Sequence, residues 1–90
     1  MSAKVIDLEL RRDEVRKIRY YKFRIGRCDD FEETLTELKR RITPAHRSYD
    51  DRTRYWTVKA SESNELRLGG LFDNWVEAFE NAKLQIGMFL

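Results

Sequence analysis

The chain has 90 residues, with 18 Lys and Arg against 16 Asp and Glu for a formal charge of +2, and it is 41% hydrophobic and 38% charged. That size makes residues 1–90 one domain with one modest core, and eleven aromatics (five Phe, four Tyr, two Trp) with so small a net charge exclude a disordered chain. Cys28 is the only cysteine, which excludes an intrachain disulfide and a thiolate zinc site, and no apolar run approaches the ~20 residues of a membrane span.

Residues 1–7 alternate polar and apolar too early for a signal peptide, so a cytoplasmic location is expected. Residues 4–10 alternate strictly, with Val5, Asp7 and Glu9 interleaved with Ile6, Leu8 and Leu10, which predicts a short strand. Residues 11–19 admit two readings: a helical turn capped by Asp13, or a turn leading into a long second strand. Residues 20–25 form a half-buried strand, with Tyr21, Phe23 and Ile25 inward and Tyr20, Lys22 and Arg24 outward.

Residues 31–42 predict a helix, because Phe31, Leu35, Leu38 and Ile42 make one apolar stripe. Asp30 and Glu33 have the spacing of a capping box, Glu32 and Glu33 suit the positive end of the dipole, and Lys39, Arg40 and Arg41 suit the negative end. Thr43-Pro44 ends the helix, since the residue before Pro leaves the α region. A β-hairpin follows: residues 47–49 and 54–59 flank the turn-like run Asp50-Asp51-Arg52-Thr53, with Trp56 and Val58 inward and Tyr55, Thr57 and Lys59 outward. Residues 60–65 read as a polar loop, and Leu66 and Leu68 as a brief extended stretch before Gly69-Gly70. From Leu71 to about Ile86 the spacing is helical, with Phe72, Trp75, Val76, Phe79, Ala82 and Ile86 on one face and Asp73, Glu77, Glu80 and Lys83 opposite. Gly87 ends this helix, leaving Met88-Phe89-Leu90 to pack or project. The fold class is therefore α+β: a small antiparallel sheet with two helices packed on one face, in the order strand(s)–helix–hairpin–helix.

Charge is uneven along the chain. Residues 1–59 hold sixteen basic side chains against eleven acidic, residues 60–90 two against five, and the densest stretch, 11–27, has eight basic residues against Asp13 and Glu14. Such a field steers a polyanion or an acidic protein. Catalytic readings lack parts. His46 is the only histidine and lies between a helix end and a strand, Asp50-Asp51 is turn chemistry, and Cys28 has no visible partner residues. No enzyme activity, metal or cofactor is expected.

The run Pro44-Ala45-His46-Arg47-Ser48-Tyr49-Asp50-Asp51-Arg52-Thr53-Arg54-Tyr55-Trp56-Thr57-Val58, after an amphipathic helix, resembles the HARP-type accessory module of SNF2-class annealing helicases. The hallmark of that module is a helix, a Pro, then a basic-x-Tyr-Asp hairpin closing on Trp-Thr-Val. Tyr49-Asp50, Thr53, Arg54 and Trp56-Thr57-Val58 match it in spacing, while Asp51 stands where Pro is common and Ala45 where Gly is usual. The resemblance covers residues 31–58, under a third of the chain. It implies recognition of DNA structure as an accessory activity, without an ATPase in these residues.

The expected function is non-catalytic nucleic-acid binding on a basic and aromatic sheet face. Lys22, Arg24, Arg47, Arg52, Arg54 and Lys59 would grip the phosphates of DNA or RNA, with Tyr20 or Tyr55 stacking on bases. The alternative is a protein–protein module, such as a homodimer through the C-terminal helix, since an apolar surface there is costly to leave wet.

Overall fold

A computed structural model describes residues 4–27 and 29–89, with side chains described as far as Leu84. The elements in chain order are β1 (Val5–Asp13), β2 (Ile18–Ile25), α1 (Phe31–Arg41), a 3-10 turn (Pro44–His46), β3 (Arg47–Asp50), β4 (Tyr55–Lys59), α2 (Glu62–Leu71) and α3 (Trp75–Phe89). The strands form one antiparallel sheet in the order β1-β2-β4-β3. All three helices contribute to a single apolar cluster against one sheet face, so the fold is α+β with three helices rather than two.

The ambiguous stretch at residues 11–19 resolves as a hairpin. β1 runs on to Asp13, and a four-residue turn returns the chain into β2. Strict alternation in β1 fails at one place. Asp7 has φ 53, and the register with β2 shifts between Ile6 and Glu9. This bulge adds a residue, so Val5 and Leu8 both turn inward while Ile6 stays 43% exposed.

β2 and β4 follow their period-2 pattern: Tyr21, Phe23, Ile25, Trp56 and Val58 are buried. Tyr21 and Phe23 meet Trp75 edge-on at 5.2 and 6.3 Å, Tyr21 meets Phe79 at 5.8 Å, and Phe23 meets Phe72 at 5.7 Å. Each such pair contributes about 0.5–1.5 kcal/mol beyond area burial. Burial, and secondarily the charge of Glu65, pushes the Tyr21 hydroxyl up to about 12.

α1 buries Thr34 and Leu38, and Ile42 follows them into the core as the extended C-cap. Asp30 holds the N-cap position through its carbonyl, which accepts the Thr34 N–H at 2.9 Å and Oγ1 at 2.8 Å, and no side-chain capping bond forms.

The stretch after β4 departs furthest from the sequence reading. Residues 62–71 are a helix, not a loop and an extended stretch. Ser61 caps it, its Oγ accepting the Asn64 N–H at 3.2 Å, and Asn64, Leu68 and Leu71 are buried on one side. Gly69 and Gly70 disguise this helix, because glycine costs about 1 kcal/mol in a helix interior. A Cβ at Gly70 would lie 3.0 Å from the Arg41 Nη1, a contact that a small shift of the arginine's end relieves.

α2 ends at Leu71, Phe72 turns extended, and α3 starts anew at Trp75. Phe72 is therefore buried from the connection rather than from the last helix. Val76, expected on the apolar face of that helix, is 71% exposed. α3 also continues through Gly87 to Phe89; the expectations for the side chains of Ile86, Met88, Phe89 and Leu90 lie outside the described residues. Asn74 in the connection clamps the start of β1, its Oδ1 accepting the Val5 N–H at 2.9 Å and its Nδ2 donating to the Val5 carbonyl at 2.8 Å. Among the described residues no helix is long and apolar enough to cross a membrane.

Candidate functional site

The sheet face away from the helices carries Tyr20, Lys22 and Arg24 from β2 and Tyr55, Thr57 and Lys59 from β4, with Tyr20 opposite Lys59 and Lys22 opposite Thr57. Two features weaken it as a docking platform. The Lys22 Nζ and the Arg24 guanidinium stand over the Tyr55 ring, 4.5 and 4.3 Å from its centroid, so a base stacking there must displace a cation. Acidic residues also share the face. The bulge in β1 sets Glu9 opposite Lys22, Glu9 pairs with Arg11 at 2.8 Å, Asp7 pairs with Arg24 at 3.3 Å, and Asp50 lies opposite Tyr55.

Arg47 does not belong to that face. The register of β3 sets Arg47 opposite Val58 and Tyr49 opposite Trp56, so both lie on the helix side, while Ser48 faces outward and shares a 2.9 Å hydrogen bond with Thr57. The Arg47 Nε donates to the Ile42 carbonyl at 3.0 Å, which anchors the strand to the end of α1. Tyr49 leans on Trp56 with centroids 4.8 Å apart and remains 48% exposed.

On the helix side, α1 packs on α2 and leaves a wedge between itself and the β3–β4 hairpin. This wedge is a cleft of about 840 Å³. Phe31, Leu35 and Lys39 line it from α1 at a four-residue interval, and Arg47, Ser48, Tyr49, Arg52, Thr53, Arg54 and Trp56 line it from the hairpin. The cleft opens round the end of the sheet, where Ile6 and Arg24 from the outer face join Ile25 and Arg27 to complete the lining. Six cations therefore surround the void, and no carboxylate lines it. Arg24 is paired with Asp7, but Arg27, Lys39, Arg47, Arg52 and Arg54 make no ion pair among the described residues.

Local structure aims these side chains. Asp50 Oδ1 accepts the Arg52 N–H at 2.9 Å, and the Asp50 carbonyl accepts the Arg54 N–H at 2.7 Å, closing the hairpin turn. The Arg52 N–H is the main reason the Asp50 carboxyl is held below the usual carboxylate range. Arg54 takes φ 65, a left-handed conformation that costs a non-glycine residue roughly 1–2 kcal/mol. The Arg24 Nε donates to the Thr53 carbonyl at 3.1 Å, tying the hairpin tip to β2. Arg27 stacks on Phe31 with its guanidinium 4.6 Å from the ring centroid. Clustered like charges beside low-dielectric aromatic walls focus the field on any anion that enters.

Of the residues named from sequence, Arg24, Arg47, Arg52 and Arg54 come together in the cleft, and Tyr20, Lys22, Tyr55 and Lys59 do not. Tyr20 and Lys59 instead line a second cavity of about 310 Å³ with Asp13, Arg16, Ile18, Ala45, His46, Arg47, Ser48, Thr57 and Val58. Sequence reasoning missed Arg27, Phe31, Lys39, Tyr49 and Trp56 as cleft residues. A signal existed for two of them: Lys39 continues the interval of Phe31 and Leu35, and Tyr49 shares the parity of Trp56 once the hairpin is paired.

The groups considered for catalysis fall elsewhere. His46 Nδ1 lies 3.4 Å from the Asn64 amide nitrogen at the base of α2, Asp50 serves the turn, and Cys28 lies outside the described residues. No group of three or more His, Cys, Asp or Glu that could hold a metal occurs among the described residues.

This chain matches no protein-family model, and no curated protein or solved structure matches it.

Proposed function

We propose that this chain is a non-catalytic accessory domain that binds single-stranded nucleic acid in the cleft between α1 and the β3–β4 hairpin. One observation carries the reading: six cations and three aromatic rings surround the cleft, and no carboxylate lines it. Phosphates would bind Arg47, Arg52, Arg54 and Lys39, with the arginines able to engage two phosphate oxygens at once. Tyr49, half-exposed at the rim, would stack on a base, an interaction worth about 1–3 kcal/mol. A volume within the usual range for ligand pockets suits a single strand rather than a duplex. The hairpin that resembles the HARP-type module forms one wall of this cleft, which favours DNA as the nucleic acid.

Fluorescence anisotropy with labelled single-stranded 12-mers of DNA and RNA tests the proposal. The expected result is binding whose log affinity falls with log salt at a slope of about −2 to −4, near −0.7 per phosphate neutralised. Salt-independent binding, or no binding to either polymer, overturns it.

A second reading, self-association through the C-terminal helix, is favoured by Val76 and Leu84 of α3, which are 71% and 68% exposed. Light scattering that finds a monomer at high concentration removes it.

A further inference from the structure

The two cavities share a border. Arg47 and Ser48 line both the larger cleft and the smaller cavity, and both belong to β3, an edge strand of the sheet. Their side chains leave the strand on opposite faces, Arg47 toward the helices and Ser48 toward the outer face. β3 thus forms a low ridge between a basic cleft on one side and a second basic hollow on the other. The hollow contributes Arg16 and Lys59 as cations and the Tyr20 ring as a flat apolar surface, with Asp13 as its one carboxylate. Lys59 is exposed and makes no ion pair among the described residues, whereas Arg16 lies 3.8 Å from Asp13. Residues 48–50 of the ridge are themselves exposed, so nothing in the described chain covers the passage from one cavity to the other.

We infer that the nucleic-acid strand is not confined to the cleft but crosses the open edge of β3 and enters the second cavity. This inference rests on the nucleic-acid reading above. Arg47 is the pivot: it borders both cavities and is held by its hydrogen bond to the Ile42 carbonyl. The backbone follows the ridge past it, with the nucleotides at one end against Tyr49 in the cleft and those at the other reaching Tyr20 and Lys59. The four residues of β3 span about 14 Å at 3.4 Å each. Stacked nucleotides advance about 3.4 Å per phosphate along one strand, so the ridge takes about four of them. With one further nucleotide seated in each cavity the footprint is about six, at the short end of single-strand binding sites.

The inference explains why Tyr20 and Lys59, which stand apart from the cleft, belong to the same surface as Arg52 and Arg54. It also separates the working part of the outer sheet face from the rest. The Tyr20–Lys59 end opens onto the ridge, while the Tyr55 end is occupied by its own cations.

The test is a length series of single-stranded oligonucleotides of 2, 4, 6, 8 and 12 residues, measured by competition against a labelled 12-mer. Affinity is expected to climb to about six nucleotides and then to rise only by the statistical factor for extra registers. The double variant Arg16→Glu/Lys59→Glu is expected to weaken the octanucleotide about tenfold more than the dinucleotide, and to lower its salt slope by about 0.7 for each phosphate that goes unneutralised. Tyr20→Ala is expected to weaken the octanucleotide several-fold more than the dinucleotide. Lys83→Glu, on α3 away from both cavities, leaves every affinity unchanged and controls for net charge. A length dependence that stops at two or three nucleotides, or an octanucleotide affinity that ignores Arg16→Glu/Lys59→Glu, overturns the inference while leaving the cleft intact. Failure of every length to bind overturns the nucleic-acid reading itself. Circular dichroism melts of each variant establish that a reduced affinity is not a failure to fold.

Discussion

The two hairpins of this protein use the same turn and end in opposite electrostatic states. In each, an Asp carbonyl accepts the N–H of a basic residue four positions on, Asp13 from Lys17 and Asp50 from Arg54, both at 2.7 Å. In each the basic residue is left-handed, with φ 57 at Lys17 and φ 65 at Arg54. In each the Asp side chain binds the turn: Asp13 Oδ1 accepts Val15 and Arg16 N–H groups at 3.0 and 3.1 Å, and Asp50 Oδ1 accepts that of Arg52. Around the first hairpin, however, four of the five arginines are paired, and Arg19 alone makes no ion pair among the described residues. Arg11 meets Glu9, Arg12 meets Glu14, Arg16 meets Asp13 and Arg24 meets Asp7. At the second, Arg47, Arg52 and Arg54 make no ion pair among the described residues, although the charge of Arg52 helps to hold the Asp50 carboxyl low, and they line the cleft. The densest basic run in the sequence is thus the more neutralised one. Exposed pairs add little to stability, but they cancel the field that a polyanion would feel.

Charge reversal gives the sharpest way to break this comparison. Arg52→Glu with Arg54→Glu is expected to lower single-strand affinity at least a hundredfold, about 2.7 kcal/mol, because each change removes an attraction and adds a repulsion. Arg11→Glu with Arg12→Glu, equal in net charge, should cost less than threefold. Equal losses in an anisotropy titration would mean that net charge, not the cleft, governs binding.

A smaller effect concerns what holds the first hairpin. Asn74→Ala removes two bonds to Val5 and leaves the start of β1 undocked, for an expected loss of about 1–2 kcal/mol. A urea midpoint that does not move would show the clamp to be idle. Smaller again is relief of the left-handed turns: Lys17→Gly and Arg54→Gly should each stabilise by roughly 0.5–1 kcal/mol, as glycine adopts positive φ without the steric cost. Both should raise Tm by a few degrees, yet only Arg54→Gly should weaken binding. Strain kept at Arg54 would then be tied to its side chain.

The smallest effect lies on α1. Hydrogen bonds from Arg40 and Arg41 hold the Glu37 carboxyl below its ordinary range. The unfolded chain therefore takes up this proton first as pH falls, so the contribution is present above the ordinary carboxylate range and fades as pH drops through the lowered value. Glu37→Gln should flatten part of the acid limb of a stability profile by slightly lowering its neutral end, the effect being small because the group is exposed. Helical phase, at the interval of Phe31 and Leu35, makes Lys39 the cation of α1 that lines the cleft, while Arg41 reaches the Arg67 carbonyl of α2.

Much of this fold is legible because its cues are local. β2, α1 and the β3–β4 hairpin each carry a period that matches their buried side, as in Tyr21, Phe23 and Ile25 or Leu38 and Ile42. α2 is hidden from such cues, since Gly69 and Gly70 argue against a helix and only its packing, with Asn64, Leu68 and Leu71 buried, overrides them. The bulge at Asp7 is equally invisible, for it shows only when β1 is set against β2.

The candidate site divides in the same way. Sequence alone determined that the protein has an α+β core and an excess of basic side chains before residue 60, with turn-forming Asp50 at the tip of a hairpin; these follow from periodicity and composition. Tertiary structure alone decided which of the cations face a common void. Arg24 and Asp7 are 17 residues apart, and Arg27, Lys39 and Arg54 belong to three separate segments. A charge becomes available or cancelled through register and packing across strands, and neither is written in the spacing of neighbours.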